Sequence, residues 1–160
     1  MNELKATDNE DSSEAIVVSF DAKWSVLLTN STVTRIFRKR APRRLAPRFI
    51  YIYVGAPVSA LIGRCEVSSL DWLPKKEALA LSTEGAISEE DLKRYADNYD
   101  SLAVYTVGPI QVCGSPLSFS ILQKQFAFSP PQSFFVLSKT GKHNLDEVAG
   151  FGSRSHKGKR

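Results

Sequence analysis

The chain has 160 residues, of which 42% are hydrophobic, and a net charge of +4, which suits one domain that buries a core without staples. Its two cysteines, Cys65 and Cys113, are too few for a disulfide framework or a zinc cluster, and we interpret them as core thiols in a reducing compartment. No apolar run reaches the roughly 18 residues that cross a bilayer, and residues 1–14 are acidic and polar, unlike a signal peptide. We therefore expect a cytoplasmic protein without a membrane partner.

The first half of the chain predicts four strands and one short helix. The strongest strand pattern is FIYIYV, because each of its residues is aromatic or β-branched. The helix follows the first strand and has Trp24, Val26 and Leu28 on its apolar side. The four strands are predicted at 15–20, 34–38, 49–54 and 60–67.

The second half predicts three helical segments and two strands. A helix is expected after Pro74, and another from Ser88 to Tyr99, where a hydroxyl cap precedes three acidic residues. The remaining elements are strands at 101–112 and 134–137 and a helix at 116–125. Strands joined by short links, with helices inserted rather than alternating, favour an α+β domain over a doubly wound sheet.

The predicted organisation is therefore one folded domain between two unstructured ends. We expect a disordered acidic segment at 1–14, which lacks hydrophobic periodicity, and a flexible basic tail at 139–160. The domain at 15–138 should contain a small curved sheet, mostly antiparallel and closed or nearly closed into a barrel.

Three segments carry a family pattern: VVSFDAKWSVLL at 17–28, FIYIYVGAPVSALIG at 49–63 and FSPPQSF at 128–134. They resemble the opening strand and helix, the central strand pair and the Pro-Pro-Gln-Ser ending of the ASCH domain family, within the PUA-like superfamily. The resemblance covers about 15–137. It implies a small PUA-like β-barrel with a cleft beside the first helix, and a role in binding RNA or modified nucleosides.

Some bacterial ASCH proteins hydrolyse an acylated cytidine with a Lys, a Thr and a Glu near the first helix. An ungapped alignment places these three positions on Thr32, Val33 and Arg35 of this chain. An arginine cannot accept a proton near neutral pH, so it cannot replace a carboxylate base. We therefore predict no catalytic residues and favour a binding protein over an enzyme.

The most informative functional signal is a basic segment without acidic residues. Arginine forks bind phosphate in bidentate fashion, and Tyr51 and Tyr53 on the next strand could stack on bases. We predict that this segment contacts the backbone of RNA or another single-stranded nucleic acid. The alternative is a solvated edge whose charges prevent aggregation. The residues concerned are Arg35, Arg38, Lys39, Arg40, Arg43, Arg44 and Arg48.

A second set of residues is predicted to line the ligand-binding cleft. Tryptophan and tyrosine would form its walls, and hydroxyl groups would bond to a base edge or a phosphate; their alternative roles are core packing and turn capping. The set comprises Lys23, Trp24, Thr32, Thr34, Tyr53 and Ser133.

Other classes of function have less support. His143 and His156 lie far apart in a predicted tail without metal-like neighbours, so we predict no metal site and no cofactor. A small hydrolase acting on a nucleoside or RNA is one alternative, in which Lys23 and Ser133 would act together. Another is a regulatory protein of a mobile element, whose Ser88–Tyr99 helix would bind a partner protein.

Overall fold

The computed structural model describes residues 3–6, 12–30 and 32–151. Over these residues the strands are β1 (Ser12–Phe20), β2 (Arg35–Arg38), β3 (Phe49–Val54), β4 (Ala60–Pro74), β5 (Ser101–Val107), β6 (Gln111–Ser118) and β7 (Phe134–Ser138). The helices are α1 (Trp24–Thr29), α2 (Lys75–Leu79), α3 (Glu89–Tyr95), α4 (Phe119–Phe126) and α5 (Lys139–Ala149), with a 3-10 turn at Ser82–Gly85. None of the helices in this part of the chain is long and apolar enough to span a membrane.

The strands form one mixed sheet in the order β2-β5-β4-β3-β1-β7, with β6 beside the first part of β4. β1 and β3 are parallel, whereas the other pairs are antiparallel. The long strand β4 joins two regions, because its first part pairs with β3 and β6 and its second part with β5. The predicted α+β class is confirmed. Over the described residues the sheet remains open, ending at β2 and β7, and does not close into the predicted barrel.

The central strands are buried on both faces, so alternate residues enter two different cores. Ile16 and Val18 of β1 lie in the core covered by α1, which also contains Ile50 and Ile52 of β3. Residue Val17 belongs to the opposite core, which contains residues of α4 and α5. The strand predicted at 49–54 matches β3 residue for residue, because its aromatic and β-branched residues suit both faces.

A third, smaller core fixes α2 and α3 against β5. Leu92 and Ala96 pack with Leu102 and Val104, and all four are fully buried. The Ser88 hydroxyl accepts a hydrogen bond from the backbone N–H of Asp91 at 3.0 Å, which is the predicted helix cap. The helix ends at Tyr95 rather than at Tyr99. This packing places the side of α3 against the end of β2.

The predicted flexible tail is wrong for residues 139–151. α5 begins at a Ser138 cap, whose hydroxyl accepts from the backbone N–H of Gly141 at 2.8 Å, and Leu145, Ala149 and Phe151 are buried. A side chain at Gly141 would come within 2.6 Å of the Leu4 carbonyl oxygen, so this close approach requires glycine. Residues 152–160 lie outside the described residues.

The predicted disorder at the N-terminus is also wrong in part. Residues 12–14 belong to β1, Lys5 forms a bridge with Leu137, and Leu4 is 3% exposed in the core beneath α5. Residues 1–2 and 7–11 lie outside the described residues. The two ends therefore stabilise each other through tertiary contacts rather than through local hydrophobic periodicity.

A buried ion pair joins α5 to the sheet. The Arg64 guanidinium on β4 lies 3.3 Å from the Asp146 carboxylate and donates to the Tyr51 hydroxyl at 3.0 Å, and Tyr51 in turn donates to Asp146. The Arg64 guanidinium also lies between the rings of Phe49 and Phe151, 4.3 and 4.6 Å from their centroids. This network anchors a helix whose own sequence has low helix propensity.

Candidate ligand-binding cleft

A cleft of about 930 Å³ opens where α1, β2 and α3 meet. Trp24 and Leu28 of α1 line it, together with all four residues of β2. α3 lines it with one side, which consists of Asp91, Leu92, Arg94 and Tyr95. Pro130, Pro131 and Gln132, from the loop before β7, complete the lining, so the proline motif seen in the sequence does lie at the cleft. The site therefore depends on segments more than one hundred residues apart.

Aromatic rings form a large part of the cleft wall. The rings of Phe20 and Trp24 meet edge to face with 6.4 Å between their centroids, and Tyr53, Tyr95 and Phe119 also line the cleft. Burial raises the pKa of Tyr53, while a hydrogen bond with Ser59 opposes that rise, so its phenol is neutral near pH 7. Rings arranged in this way offer flat apolar surface to an aromatic ligand.

β2 brings two guanidinium groups into the same cleft. Arg38 donates to the Ser19 backbone carbonyl at 3.3 Å and lies 5.6 Å from the centre of the Phe20 ring. Arg35 is held by Glu84, with 2.9 Å between Nε and Oε1. Both side chains are half-buried and therefore more ordered than surface arginines. Arg38 brings positive charge to the aromatic wall, whereas Glu84 balances the charge of Arg35.

Other charged groups in the lining come from α1 and α3. Lys23 and Asp21 precede α1 and are exposed, whereas Asp91 and Arg94 of α3 pair with each other at 3.1 Å. Because Asp91 is paired with Arg94, that pair adds no net charge to the cleft.

A buried hydroxyl group at the cleft has no protein partner within the described residues. This is the hydroxyl of Ser19, which directly precedes Phe20 in β1. The hydroxyl of Tyr105, in the core covered by α1, also has no partner within the described residues. Burial raises the pKa of Tyr105, although the nearby charge of Arg38 opposes this. A buried polar group without a partner is costly, and only Ser19 of these two residues lines the cleft.

Three of the six residues predicted from the sequence line this cleft: Lys23, Trp24 and Tyr53. The Thr32 hydroxyl instead donates to the Leu27 carbonyl at 3.2 Å, at the end of α1. The Thr34 hydroxyl donates to the Glu84 carbonyl at 3.3 Å, which ties the start of β2 to the 3-10 turn. Ser133 follows the lining residue Gln132 but does not line the cleft itself.

The basic segment is divided between two places. Arg35 and Arg38 line the cleft, whereas Lys39, Arg40 and Arg43 line a neighbouring groove of about 380 Å³. Arg44 and Arg48 are exposed and line neither. The basic residues therefore do not converge on one site, and their contact with a nucleic-acid backbone stays a prediction.

Several residues of the cleft were not predicted from the sequence. Ser19, Arg94 and Tyr95 were not predicted there, and the α3 helix was predicted only as a surface for a protein partner. The spacing of Asp91, Arg94 and Tyr95 shows that they share one side of a helix, but the β2 strand that faces them lies over fifty residues earlier. The protein-partner hypothesis for this helix stays a prediction.

Within residues 3–6, 12–30 and 32–151, no group of three or more His, Cys, Asp or Glu side chains is arranged to hold a metal ion. Both cysteines are buried thiols, and neither lines the cleft or the neighbouring groove.

Comparison with solved structures identifies the fold. The ASCH protein from Zymomonas mobilis is 22% identical, with a TM-score of 0.77, and the match covers 84% of this chain and 95% of that one. A serine-to-alanine mutant of the same protein matches with a TM-score of 0.78 at 20% identity, over 87% of this chain and 99% of that one. The N-terminal domain of Staphylothermus marinus McrB matches more distantly, with a TM-score of 0.55 at 9% identity, over 92% of this chain and 98% of that one.

The chain therefore has the fold of the ASCH domain, and the resemblance carried by its three sequence segments is confirmed at the level of structure. No family model matches the sequence, and no curated protein sequence matches it significantly.

Proposed function

We propose that this protein binds single-stranded RNA, with one base held in the cleft and the adjoining phosphate bound by arginine. The observation that carries the proposal is the presence of Trp24, Arg35 and Arg38 in one cleft of about 930 Å³. The ring provides a stacking surface for any base, and the guanidinium groups provide donors for phosphate oxygens. The ASCH fold supports RNA over DNA as the ligand, as the sequence resemblance implied.

Three features of the site favour a nucleotide over a purely apolar ligand. The aromatic walls lie beside charge rather than among aliphatic side chains alone. The Ser19 hydroxyl is buried at the cleft without a partner among the described residues, so an unsatisfied polar group lies beside the aromatic wall. Arg38 is already oriented by the Ser19 carbonyl, which lowers the entropy lost when it binds a phosphate.

The test measures binding of a fluorescently labelled single-stranded RNA by anisotropy at several salt concentrations. We expect Trp24→Ala to weaken binding by about ten-fold or more, since stacking contributes about 1–3 kcal/mol per base. Trp24→Phe should retain most of the affinity, because phenylalanine keeps a stacking face. Arg38→Gln should weaken binding and also reduce the slope of log K against log salt by about 0.7.

Lys124→Gln is the matched control, because Lys124 is an exposed cation of α4 that lines neither the cleft nor the groove. The proposal fails if RNA affinity is unchanged between low and moderate salt, or if Arg38→Gln and Lys124→Gln behave alike. Equal affinity for single-stranded DNA of the same sequence would keep the cleft as a nucleic-acid site but remove the preference for RNA, which depends on the 2′-hydroxyl.

A further inference from the structure

The neighbouring groove of about 380 Å³ combines positive charge with aromatic rings. Lys39, Arg40 and Arg43 line it together with Trp72 and Tyr99. None of these three cations forms an ion pair with any residue that the structure describes, although Asp100 also lines the groove. Their charge therefore remains available to an anionic ligand, unlike that of Arg35.

Two of the cations are positioned by aromatic rings. The Arg43 guanidinium lies 3.8 Å from the centre of the Trp72 ring, and the Lys39 ammonium lies 4.6 Å from that of Tyr95 and 5.4 Å from that of Tyr99. A guanidinium stacked on a ring keeps its N–H donors free for a phosphate. Lys39 and Arg43 are thus held in place without a carboxylate partner.

The groove adjoins the cleft at one side chain. Tyr95 lines the cleft, yet its hydroxyl accepts a hydrogen bond from the backbone N–H of Lys39 at 3.2 Å and its ring lies against the Lys39 ammonium. Lys39 also directly follows Arg38, which lines the cleft. A strand bound in the cleft could therefore cross Tyr95 and enter the groove.

We infer that this groove binds the nucleotide next to the one held in the cleft, so that the ligand is a strand of at least two nucleotides rather than a free nucleoside. The inference rests on the proposed function. Arg43 and Lys39 would bind the phosphate of this second nucleotide, beyond the one bound by Arg38, and the exposed parts of the Trp72 and Tyr99 rings would contact the second base.

The test compares a ribonucleoside monophosphate, a dinucleotide and an octanucleotide of mixed sequence as competitors for a labelled RNA. We expect affinity to rise by about ten-fold or more from the monophosphate to the longer strands, because charged hydrogen bonds and a second stacked base are added. Arg43→Gln should remove most of that gain and leave monophosphate binding unchanged. Arg38→Gln should weaken all three ligands.

The matched control is Arg44→Gln, next in sequence to Arg43, exposed and outside both grooves. It should leave the dinucleotide affinity unchanged. An equal loss in the Arg43→Gln and Arg44→Gln proteins would overturn the inference, because it would show only a general effect of charge. So would an equal affinity for the monophosphate and the longer strands.

Tryptophan fluorescence gives a second readout that separates the two sites. In a Trp24→Phe protein the remaining tryptophan is Trp72, whose emission should be quenched by the octanucleotide but not by the monophosphate. The groove inference fails and the proposed function stands under three results together. The monophosphate binds, its binding is lost in the Trp24→Ala protein, and the Trp72 emission of the Trp24→Phe protein does not change with longer strands. If no ribonucleotide ligand binds, both fall.

Discussion

The guanidinium group of Arg35 and the carboxylate of Glu84 form an ion pair beside the cleft, with 2.9 Å between Nε and Oε1. Arg35 lies on β2, whereas Glu84 belongs to the 3-10 turn that precedes α3. The Glu84 carbonyl in the same turn accepts a hydrogen bond from the backbone N–H of Thr34 at 2.9 Å. A bound phosphate would therefore have to compete with Glu84 for Arg35.

Replacing Glu84 with glutamine should raise the affinity for RNA. The change frees Arg35 and removes one negative charge near the ligand, and we expect a gain of about two- to five-fold, since half-exposed ion pairs contribute up to about 1 kcal/mol. Anisotropy at low salt measures it. Glu147→Gln on α5, away from the cleft lining, is the control and should change affinity little. Weaker binding in Glu84→Gln would show instead that the ion pair is needed to position Arg35.

Asp146→Ala should lower the free energy of unfolding by about 3 kcal/mol, because it leaves the Arg64 guanidinium buried without its partner. The side chains of Arg64 and Asp146 are only 7% and 11% exposed. Urea denaturation measures the change. Glu147→Ala, at the next position of the same helix and exposed, should cost less than about 0.5 kcal/mol. Similar losses in the two variants would contradict the structural role assigned to the buried pair.

Stability should fall with rising pH above about 9 because of the two buried thiols. Burial raises the pKa of Cys65 from 9.0 to about 12 and that of Cys113 to about 11, and the Cys113 thiol donates to the Leu61 carbonyl at 3.5 Å. Above pH 9 the unfolded chain loses these protons while the folded protein keeps them, so deprotonation favours unfolding. The slope contributed by each thiol should rise through about 0.7 kcal/mol per pH unit at pH 9 and approach about 1.4 near pH 10.

The measurement is the free energy of unfolding between pH 8 and 10, compared between the parent protein and Cys65→Ala. Burial also raises the pKa values of Tyr51 and Tyr105 from 10.0, so both tyrosines add to the slope in the upper part of this range in both proteins, and the difference between the two proteins isolates the thiol. Cys65→Ala should reduce the slope by the share of one thiol, whatever its effect on stability at pH 7. An unchanged slope in that variant would show that other groups control the alkaline loss.

The purified protein should not hydrolyse an acylated cytidine. Thr32 bonds to a backbone carbonyl, Val33 is buried, and Arg35 is paired with Glu84, so the positions that carry a Lys, a Thr and a Glu in the hydrolytic relatives supply no general base here. The assay incubates the protein with the acylated cytidine and, in parallel, with labelled RNA. Turnover of either that is abolished by Lys23→Ala would support the hydrolase alternative and overturn our interpretation.

Local sequence predicted some elements accurately and missed others for physical reasons. β3 was predicted to the residue and the Ser88 cap was predicted correctly, because both depend on neighbouring residue types. α5 was missed because its sequence, KTGKHNLDEVA, has weak helix propensity and few apolar residues. Its stability comes from Arg64 and Leu4, which are distant in the chain.

The same limit applies to the candidate site. Trp24 and Tyr53 were predicted at the cleft because they lie in segments that resemble the ASCH family. Tyr95 was not predicted, since its position depends on how α3 packs against β2 and β5. Ser133 was predicted at the cleft from the Pro-Pro-Gln-Ser motif, but the three preceding residues, Pro130, Pro131 and Gln132, line it instead.

Residue order alone determined where the strong strands lie, that a dense basic segment precedes β3, and that the chain resembles the ASCH family. Only the tertiary structure decided which cations lie together, because Arg38 and Lys39 are adjacent in sequence but line different pockets. Trp72 and Tyr99 come to Arg43 and Lys39 from β4 and from the segment after α3. A linear pattern of charge contains no information about such partners, since they are brought together by strand pairing and core packing over long distances.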